Sequence, residues 1–472
     1  MIKVGIIGAG PAGLTAAYKL SSQGAHVTVF ETTDLPGGLS RSFELWGQIV
    51  DLGPHRFFSR DPRVNQLWLE VVEKDFRMVD RLTRIYYNKR FFHYPLKPTN
   101  ALWNLGFLTS LLCVLSYLRQ KVFPQRVDSN SFEGWVVERF GRKLYKIFFK
   151  SYSEKLWGID CTDLDSDFAA QRIKKFSLFE AIKNSLGLAK VEHKTLADTF
   201  AYPINGTGMV YMRMANSIQK NGGKIHYNSV VTKLVHENLK VQTIELSNGK
   251  QFQFDHVIST MPITNLIQGL GCESTKVNKA KETLKFRNTI LVFLEIEGDD
   301  HFDDQWLYIH SSDLDVGRIT NFSNWVPEIN KDSPNTIMVL EYWGNNDDAL
   351  WLKDDDSLVE KASTELKKTG LIKDAPVLNG LVKKIPKSYP IYSKGYKENL
   401  HIVYAYLKEF KNLSVIGRYG AFKYNNQDHS ILMGLLAAEN IQSNNENNLW
   451  DVNSDYEFQE SCRITESGLV QT

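Results

Sequence analysis

Two stretches of the chain hold residue types and spacings that suit a phosphorylated, partly planar ligand. The first is KVGIIGAGPAGLTAAYKLSSQGAHVTVFE, residues 3–31, in which Gly8, Gly10 and Gly13 fall at the spacing G-x-G-x-x-G. Each glycine has a separate task in such a turn. Gly8 makes the tight turn, Gly10 lets backbone approach a pyrophosphate, and Gly13 lets helix and strand pack closely. Pro11 and Ala12 open a helix whose unpaired N–H groups and positive dipole end suit an anion. Glu31 closes the unit near the ~20-residue spacing at which a carboxylate takes ribose hydroxyls. The second stretch, GRYGAFKYNNQDHS, residues 417–430, crowds Gly417, Arg418, Phe422, Tyr424, Asp428, His429 and Ser430 between an apolar strand and an apolar helix. Guanidinium clamps phosphate, aromatic faces lie against flat rings, and Asp428 near Ser430 is expected to cap the helix. The bland alternative is a polar turn.

These residues need particular elements to hold them. Residues 3–7 and 27–30 read as strands, 14–20 as the helix between them, with Gly24 as its stop. LPGGLSRSFELWGQIVDLGPHRFF then supplies Gly37, Gly38, Leu39 and Ser40, a hairpin, and a second glycine turn at Gly53 that leads to His55. Residues 222–262 alternate apolar and polar through short strands, Val231 among them, with a turn at Asn248-Gly249, and end in the apolar HVISTMP. This meander reads as scaffold.

Composition bounds the rest. A chain of 472 residues, 43% hydrophobic and 23% charged, is globular material with enough length for two or three cores. A net charge of +2 leaves no basic stripe for nucleic acid, so no nucleic-acid partner is expected. Cys113, Cys161, Cys272 and Cys462 lack paired spacing, which suggests neither a disulfide framework nor a metal site and fits a reducing cytoplasm. Met1 leads directly into a strand, so no export signal is expected. The stretch ALWNLGFLTSLLCVLSYL, residues 101–118, is interrupted by Asn104, Thr109, Ser110 and Ser116 and falls short of the ~20 apolar residues of a spanning helix. It reads as a buried or substrate-covering helix, with a weak membrane-surface contact as the alternative.

Taken in order, the glycine triplet, the paired glycines, HVISTMP and the strand–loop–helix at 413–441 resemble the FAD-dependent amine oxidase superfamily. The resemblance implies FAD and an α/β fold: a Rossmann-type, GR2-like FAD-binding domain with an inserted α+β substrate domain that carries a mostly helical segment. Residues 1–60, 196–265 and 395–445 would form the discontinuous FAD domain, 61–195 a helical insertion, 266–394 a sheet-containing substrate domain and 446–472 a tail, which starts as an Asn-rich linker and whose Trp450 and Tyr456 would dock as a last helix or a strap. The cofactor set it implies is Gly8, Gly10, Pro11, Ala12, Gly13, Glu31, Gly37, Gly38, Leu39, Ser40, His55, Val231, Gly417, Arg418, Asp428, His429 and Ser430.

Two more stretches, RFGRKLYKIFFKSYSEKLWG at 139–158 and GRITNFSNWVPE at 317–328, resemble the UDP-galactopyranose mutases. That resemblance implies Tyr152 against the uracil, Trp157 beside the sugar, Arg318 on the substrate diphosphate and Arg172 as a second diphosphate arginine, with Tyr392, Arg418, Phe422 and Tyr424 completing the substrate set. It implies a nucleotide-sugar substrate, interconversion of its pyranose and furanose forms, and reduced flavin N5 as nucleophile at the anomeric carbon without net redox. His55, Arg318 and Arg418 would be the catalytic residues. The competing expectation is an FAD-dependent oxidase or dehydrogenase of the protoporphyrinogen oxidase or amine oxidase type, with 101–118 covering an apolar substrate. Without the resemblance, Tyr152 and Trp157 beside Phe148 and Phe149 would read as core, and Arg318 as a surface salt bridge.

Overall fold

Val4, Ile6, Val27 and Val29 are buried, and on the opposite faces of the same strands Gly5, Ile7 and Phe30 are buried too. Strands apolar on both faces belong in a parallel sheet covered on each side. In the computed structural model, which describes residues 1–94, 96, 98–124, 127–172, 199–443, 445–453, 462–465 and 468–471, they sit in a five-stranded sheet. Its order is Leu413–Val415, His256–Ser259, Lys3–Ile7, His26–Phe30, Lys224–His226, with parallel pairing throughout. HVISTMP thus lies beside the opening strand, Val4 opposite His256. The helices Pro11–Ser22, Gly208–Lys220 and Gln427–Ser443 close the core of this unit. Gly434 lets the last of them approach the first, since a Cβ there would stand 2.5 Å from the Ala12 carbonyl oxygen.

The chain forms two units: Met1–Val79, Phe200–Lys285 and Tyr396–Thr472 make the first, and Asp80–Thr199 with Phe286–Gly395 the second. Two expected boundaries move. The helix Pro62–Val72, assigned above to the insertion, buries Val64, Leu67 and Trp68 in the first unit's core, with Trp68 stacked on Phe57. The helix Thr275–Thr283 likewise packs on Tyr396–Lys408 of the same unit. Amphipathic periodicity shows that a helix has an apolar face, but not which core receives it.

The second unit is built on a seven-stranded sheet in the order Val377–Pro390, Phe286–Glu297, Asn335–Gly344, Arg318–Asn321, Trp306–Ile309, Thr83–Tyr87, Arg90–His93. All pairs are antiparallel except Trp306–Ile309 with Thr83–Tyr87. Asp355–Thr369 packs on it, and a run of helices from Pro98 to Arg172 belongs to this unit. One stretch departs from expectation. Residues 101–118 fall in two helices, Pro98–Leu105 and Phe107–Val122, broken at Gly106 with φ +80, and Trp103, Phe107, Leu108 and Leu115 are exposed, which overturns the buried reading but not the surface-contact alternative. In the tail, Leu449–Asp451 forms a short turn that docks Trp450 on Tyr404, while Tyr456 lies outside the described residues.

Candidate functional site

The glycine turn has the geometry that its spacing predicts. At Gly8, φ is +100 and a Cβ would lie 2.1 Å from the Thr260 hydroxyl; at Gly13 a Cβ would lie 2.0 Å from the Gly8 carbonyl oxygen. Only glycine fits either position. Gly10 differs, because a Cβ there meets nothing nearer than the Gly38 Cα at 3.9 Å, so its bareness leaves backbone open to a ligand. Gly10 caps the helix Pro11–Ser22 without any side-chain hydrogen bond. The N–H groups of the first turn therefore keep their capacity for an anion. The paired glycines form the facing wall: Gly37 (φ +109) donates its N–H to the Ala9 carbonyl at 2.7 Å, and Gly38–Ser40 make a 3-10 turn that includes Leu39. Glu31 is buried at the end of its strand, where Oε2 accepts the Ala9 N–H at 2.7 Å and Oε1 the Thr33 N–H at 3.0 Å. Val231 opens the strand Val231–Glu237, opposite Leu246.

The opposite end of the chain returns to this turn. Gly417 has φ +82, and a Cβ on it would lie 3.2 Å from that of Ala12. The last helix begins at Gln427, so Asp428 is not its cap but sits in the first turn, followed by His429 and buried Ser430. His429 Nδ1 accepts the Asn426 N–H at 3.2 Å, so it carries no proton toward Asp428 Oδ1, 3.4 Å away. That carboxylate oxygen is buried and accepts no hydrogen bond, as is the Ser259 hydroxyl at the end of a neighbouring strand. Buried polar atoms ordinarily find partners. Tyr211 gathers the parts: its hydroxyl donates to Gln427 Oε1 at 2.7 Å, and burial first, then the Asp428 charge, raise its pKa against a hydrogen bond from Ser40. Gln427 Nε2 reaches the His55 and Arg56 carbonyls at 3.3 Å.

Three expected site residues in this region have partners within the protein. His55 lays Nε2 3.0 Å from the Leu52 carbonyl, which makes that nitrogen a donor to its own turn. Arg418 lies over the Tyr424 ring at 4.4 Å and donates to the Asn425 carbonyl at 3.0 Å. Phe422, with φ +51, is fully buried against Tyr396, so it packs a core and offers no surface to a substrate. A further polar cluster escaped sequence reading: buried Asp51 accepts from the Ser42 hydroxyl at 2.5 Å, the Tyr202 hydroxyl at 2.8 Å and the Thr207 N–H at 3.2 Å. Burial pushes its carboxyl up to about 7, although all three bonds pull it down.

In the second unit, strand register makes a row. Tyr308 faces Arg318 on one side and Glu341 faces it on the other. The Arg318 guanidinium bonds Glu341 through Nε at 2.7 Å and through Nη2 at 2.8 Å, and Tyr389 donates to the same carboxylate at 3.2 Å. Burial is the largest single influence and works against the arginine's charge, but Glu341 together with Tyr389, Tyr152 and Tyr308 outweighs it, and the pKa is held well above its ordinary value. Its Nη1 makes no hydrogen bond among the described residues, and 16% of the side chain stays exposed. Tyr152 stands edge-on to Tyr308 at 5.7 Å and to Trp343 at 5.9 Å, and stacks on His310 at 4.7 Å. Burial, then Lys155, push His310 down to about 3, so it is neutral. Gly317 makes room for Trp343, for a Cβ there would meet the indole at 1.8 Å. A turn of π-helix, Lys146–Lys150, leads into the helix Ser151–Trp157 that carries Tyr152.

Here too the sequence reading needs correction. Trp157 is fully buried against Phe168 and stacked on buried Tyr392, so both pack a core, where the resemblance implied Trp157 beside a sugar and Tyr392 in the substrate set. Arg318 is half of a buried ion pair with one edge left over, where the resemblance implied a diphosphate arginine and the residues alone a surface salt bridge. Arg172 ends the helix Ser166–Arg172, and its side chain lies outside the described residues. Glu341, Tyr308, His310 and Trp343 were missed because pairing across strands, not spacing along the chain, brings them together.

Among the described residues no group of three or more His, Cys, Asp or Glu could hold a metal ion. Residues 11–384 match the flavin containing amine oxidoreductase family. The coproporphyrinogen III oxidase of Staphylococcus aureus is 23% identical over 470 residues, which span 93% of this chain and 98% of that one. The 4,4'-diapophytoene desaturase of a Methylomonas species is 23% identical over 62% of this chain and 60% of its own. Among solved structures, a reduced UDP-galactopyranose mutase superposes with a TM-score of 0.84 at 23% identity, covering 97% of this chain and 100% of that one, which shows a shared fold. The bare glycine cradle, the uncapped helix end, Glu31 and the orphaned Asp428 oxygen fit a flavin dinucleotide, and with 11–384 matched the chain belongs to the flavin containing amine oxidoreductase family.

Proposed function

We propose that the protein is a flavin-dependent isomerase that interconverts pyranose and furanose forms of a nucleoside diphosphate sugar without net redox. The observation that carries this reading is the row Tyr308–Arg318–Glu341 with Tyr152 and Trp343 around it. Such a ligand presents a flat base, two phosphates and a polar ring, and this row offers aromatic faces beside a guanidinium edge. The fold shared with a UDP-galactopyranose mutase supports it.

In this reading the first unit would hold FAD: Gly8, Gly10, Gly13, Gly37 and Gly38 around its diphosphate, Glu31 at a ribose, and the Asp428–Ser430 turn at the remaining polar edge. Bound and reduced, the flavin would supply the nucleophile for displacement at an anomeric carbon. The chain's own part is positioning. Arg318 would present Nη1 to a phosphate oxygen and stabilise charge as the nucleoside diphosphate departs, a role worth about 3 kcal/mol for one preorganised donor. Glu341 holds the fork in one orientation, so little ordering is left for the moment of reaction. Neutral His310, stacked flat on Tyr152, holds that ring in place without adding charge beside Arg318. The scheme needs no side-chain base.

A second reading, a flavin oxidase, is favoured by the likeness to a coproporphyrinogen III oxidase over 93% of this chain. One assay separates the two. Under anaerobic conditions, dithionite-reduced protein incubated with UDP-galactopyranose should yield a furanose isomer on chromatography, with the flavin still reduced at the end. Oxygen uptake with a porphyrinogen and no isomer from the nucleotide sugar would replace the first reading by the second.

A further inference from the structure

The helix Phe107–Val122 is built inside out. Its buried positions are Ser110, Cys113 and Gln120, while Leu108, Leu115 and Val122 face solvent. The inward docking is close and specific: Gly141, with φ +78, touches the helix backbone, where a Cβ would stand 2.8 Å from the Tyr117 N, and the Ser116 hydroxyl accepts the Lys143 N–H at 3.1 Å. The polar face is therefore the one held by protein. Trp103 is 89% exposed, Phe107 84% and Phe123 72%, so the apolar surface continues across the Gly106 break and past the helix end. Scattered exposed leucines are ordinary; a contiguous apolar stripe on a well-docked helix calls for a partner.

Charge identifies that partner. From residue 81 to residue 127 the sequence has eight Lys or Arg and no Asp or Glu, and Arg119 and Lys121 are exposed beside the stripe. On the adjoining helix Phe132–Phe140 both carboxylates are engaged, Glu133 by Arg142 and Tyr145, Glu138 by Ser129. A second copy meeting this face about a two-fold axis would set these cations against themselves. At 16 residues the helix is about 24 Å long, less than the ~30 Å hydrocarbon core, and no helix among the described residues is long and apolar enough to cross a membrane.

We propose that the two helices between Pro98 and Val122 lie in the surface of an anionic lipid bilayer, with the Trp103–Phe107–Leu115 stripe among the acyl chains and Arg119 and Lys121 at the headgroups. The reading is independent of the reaction proposed above. The purified full-length chain is floated with vesicles of phosphatidylcholine, alone or with about three parts in ten of phosphatidylglycerol. It should rise with the anionic vesicles. Phe107→Ser with Leu115→Ser should cut the partition about tenfold, and Arg119→Gln with Lys121→Gln about tenfold on anionic vesicles only, circular dichroism being unchanged in both. Wild-type protein that stays in the soluble fraction with both vesicles, or a serine variant that floats as well as wild type, overturns the proposal. So does light scattering that shows a dimer in lipid-free buffer which the serine variant turns into monomer.

Discussion

The glycine cradle of the first unit is made of backbone, whereas the aromatic row of the second is made of side chains brought side by side by strand register. In the cradle each demand is local: Gly8 and Gly13 are required by atoms close in sequence or by one adjoining strand, and nothing larger fits. In the row, Arg318 is defined by Glu341 and Tyr308, which come to it only through pairing of the strands Trp306–Ile309, Arg318–Asn321 and Asn335–Gly344. A backbone site therefore fails all at once when a side chain enters it. A side-chain site fails in parts, according to which charge is left alone.

The sharpest break in that comparison is Gly13→Ala. Its Cβ would sit 2.0 Å from the Gly8 carbonyl oxygen, so the turn must open, and flavin retention measured by absorbance of the purified protein should fall on the order of tenfold or more. Gly47→Ala is the control, since no atom lies within 4 Å and only its φ of +79 resists; the protein should stay yellow and lose about 1 kcal/mol. Next in size is Glu341→Gln, which leaves the Arg318 guanidinium without its carboxylate. Removing one partner of a buried pair should cost about 3 kcal/mol in denaturant unfolding, and Arg318→Met with Glu341→Leu should recover much of it.

Asp51 supplies a pH test of the first unit. Its carboxyl rises from 3.8 to about 7 on folding, so between those values the folded chain holds a proton that the unfolded chain has lost. Stability should fall as pH rises through that window, by a few kcal/mol at about 1.4 kcal/mol per unit, and Asp51→Asn should flatten the slope in thermal melts from pH 4 to 8. The smallest effect belongs to the strap. Asn453 donates to the Tyr424 carbonyl at 3.3 Å and to Asn425 Oδ1 at 3.0 Å, and Lys423 reaches the Val452 carbonyl at 2.9 Å. Asn453→Ala should lower the melting free energy by about 1 kcal/mol and make the loop of Arg418 more open to proteolysis.

The difference between the two sites also explains what could be read from sequence. The opening strand–turn–helix, the return of HVISTMP to the sheet and the glycines of the cradle were legible, because left-handed φ and close approach select glycine at fixed spacing. The positions of Tyr152 and Arg318 were legible only through resemblance. That Trp157, Tyr392 and Phe422 would be closed into cores was not, because an aromatic residue reads alike in a core and in a ligand slot until its neighbours are known. Glu341 interrupts an otherwise apolar run, IMVLEYW, which marks a carboxylate in need of a partner but does not name Arg318, because that partner lies on the neighbouring strand. The apolar run at 101–118 shows helical spacing but not whether it faces a core, a substrate or a surface, since periodicity gives the stripe and not the medium it meets.

The central claim is that the row around Arg318 is a diphosphate site, and calorimetric titration of UDP into the purified protein tests it most directly. The account predicts saturable binding that weakens about tenfold in Arg318→Lys, where the charge remains and the planar fork is gone. Absence of UDP binding, or equal affinity in wild type and variant, would contradict it.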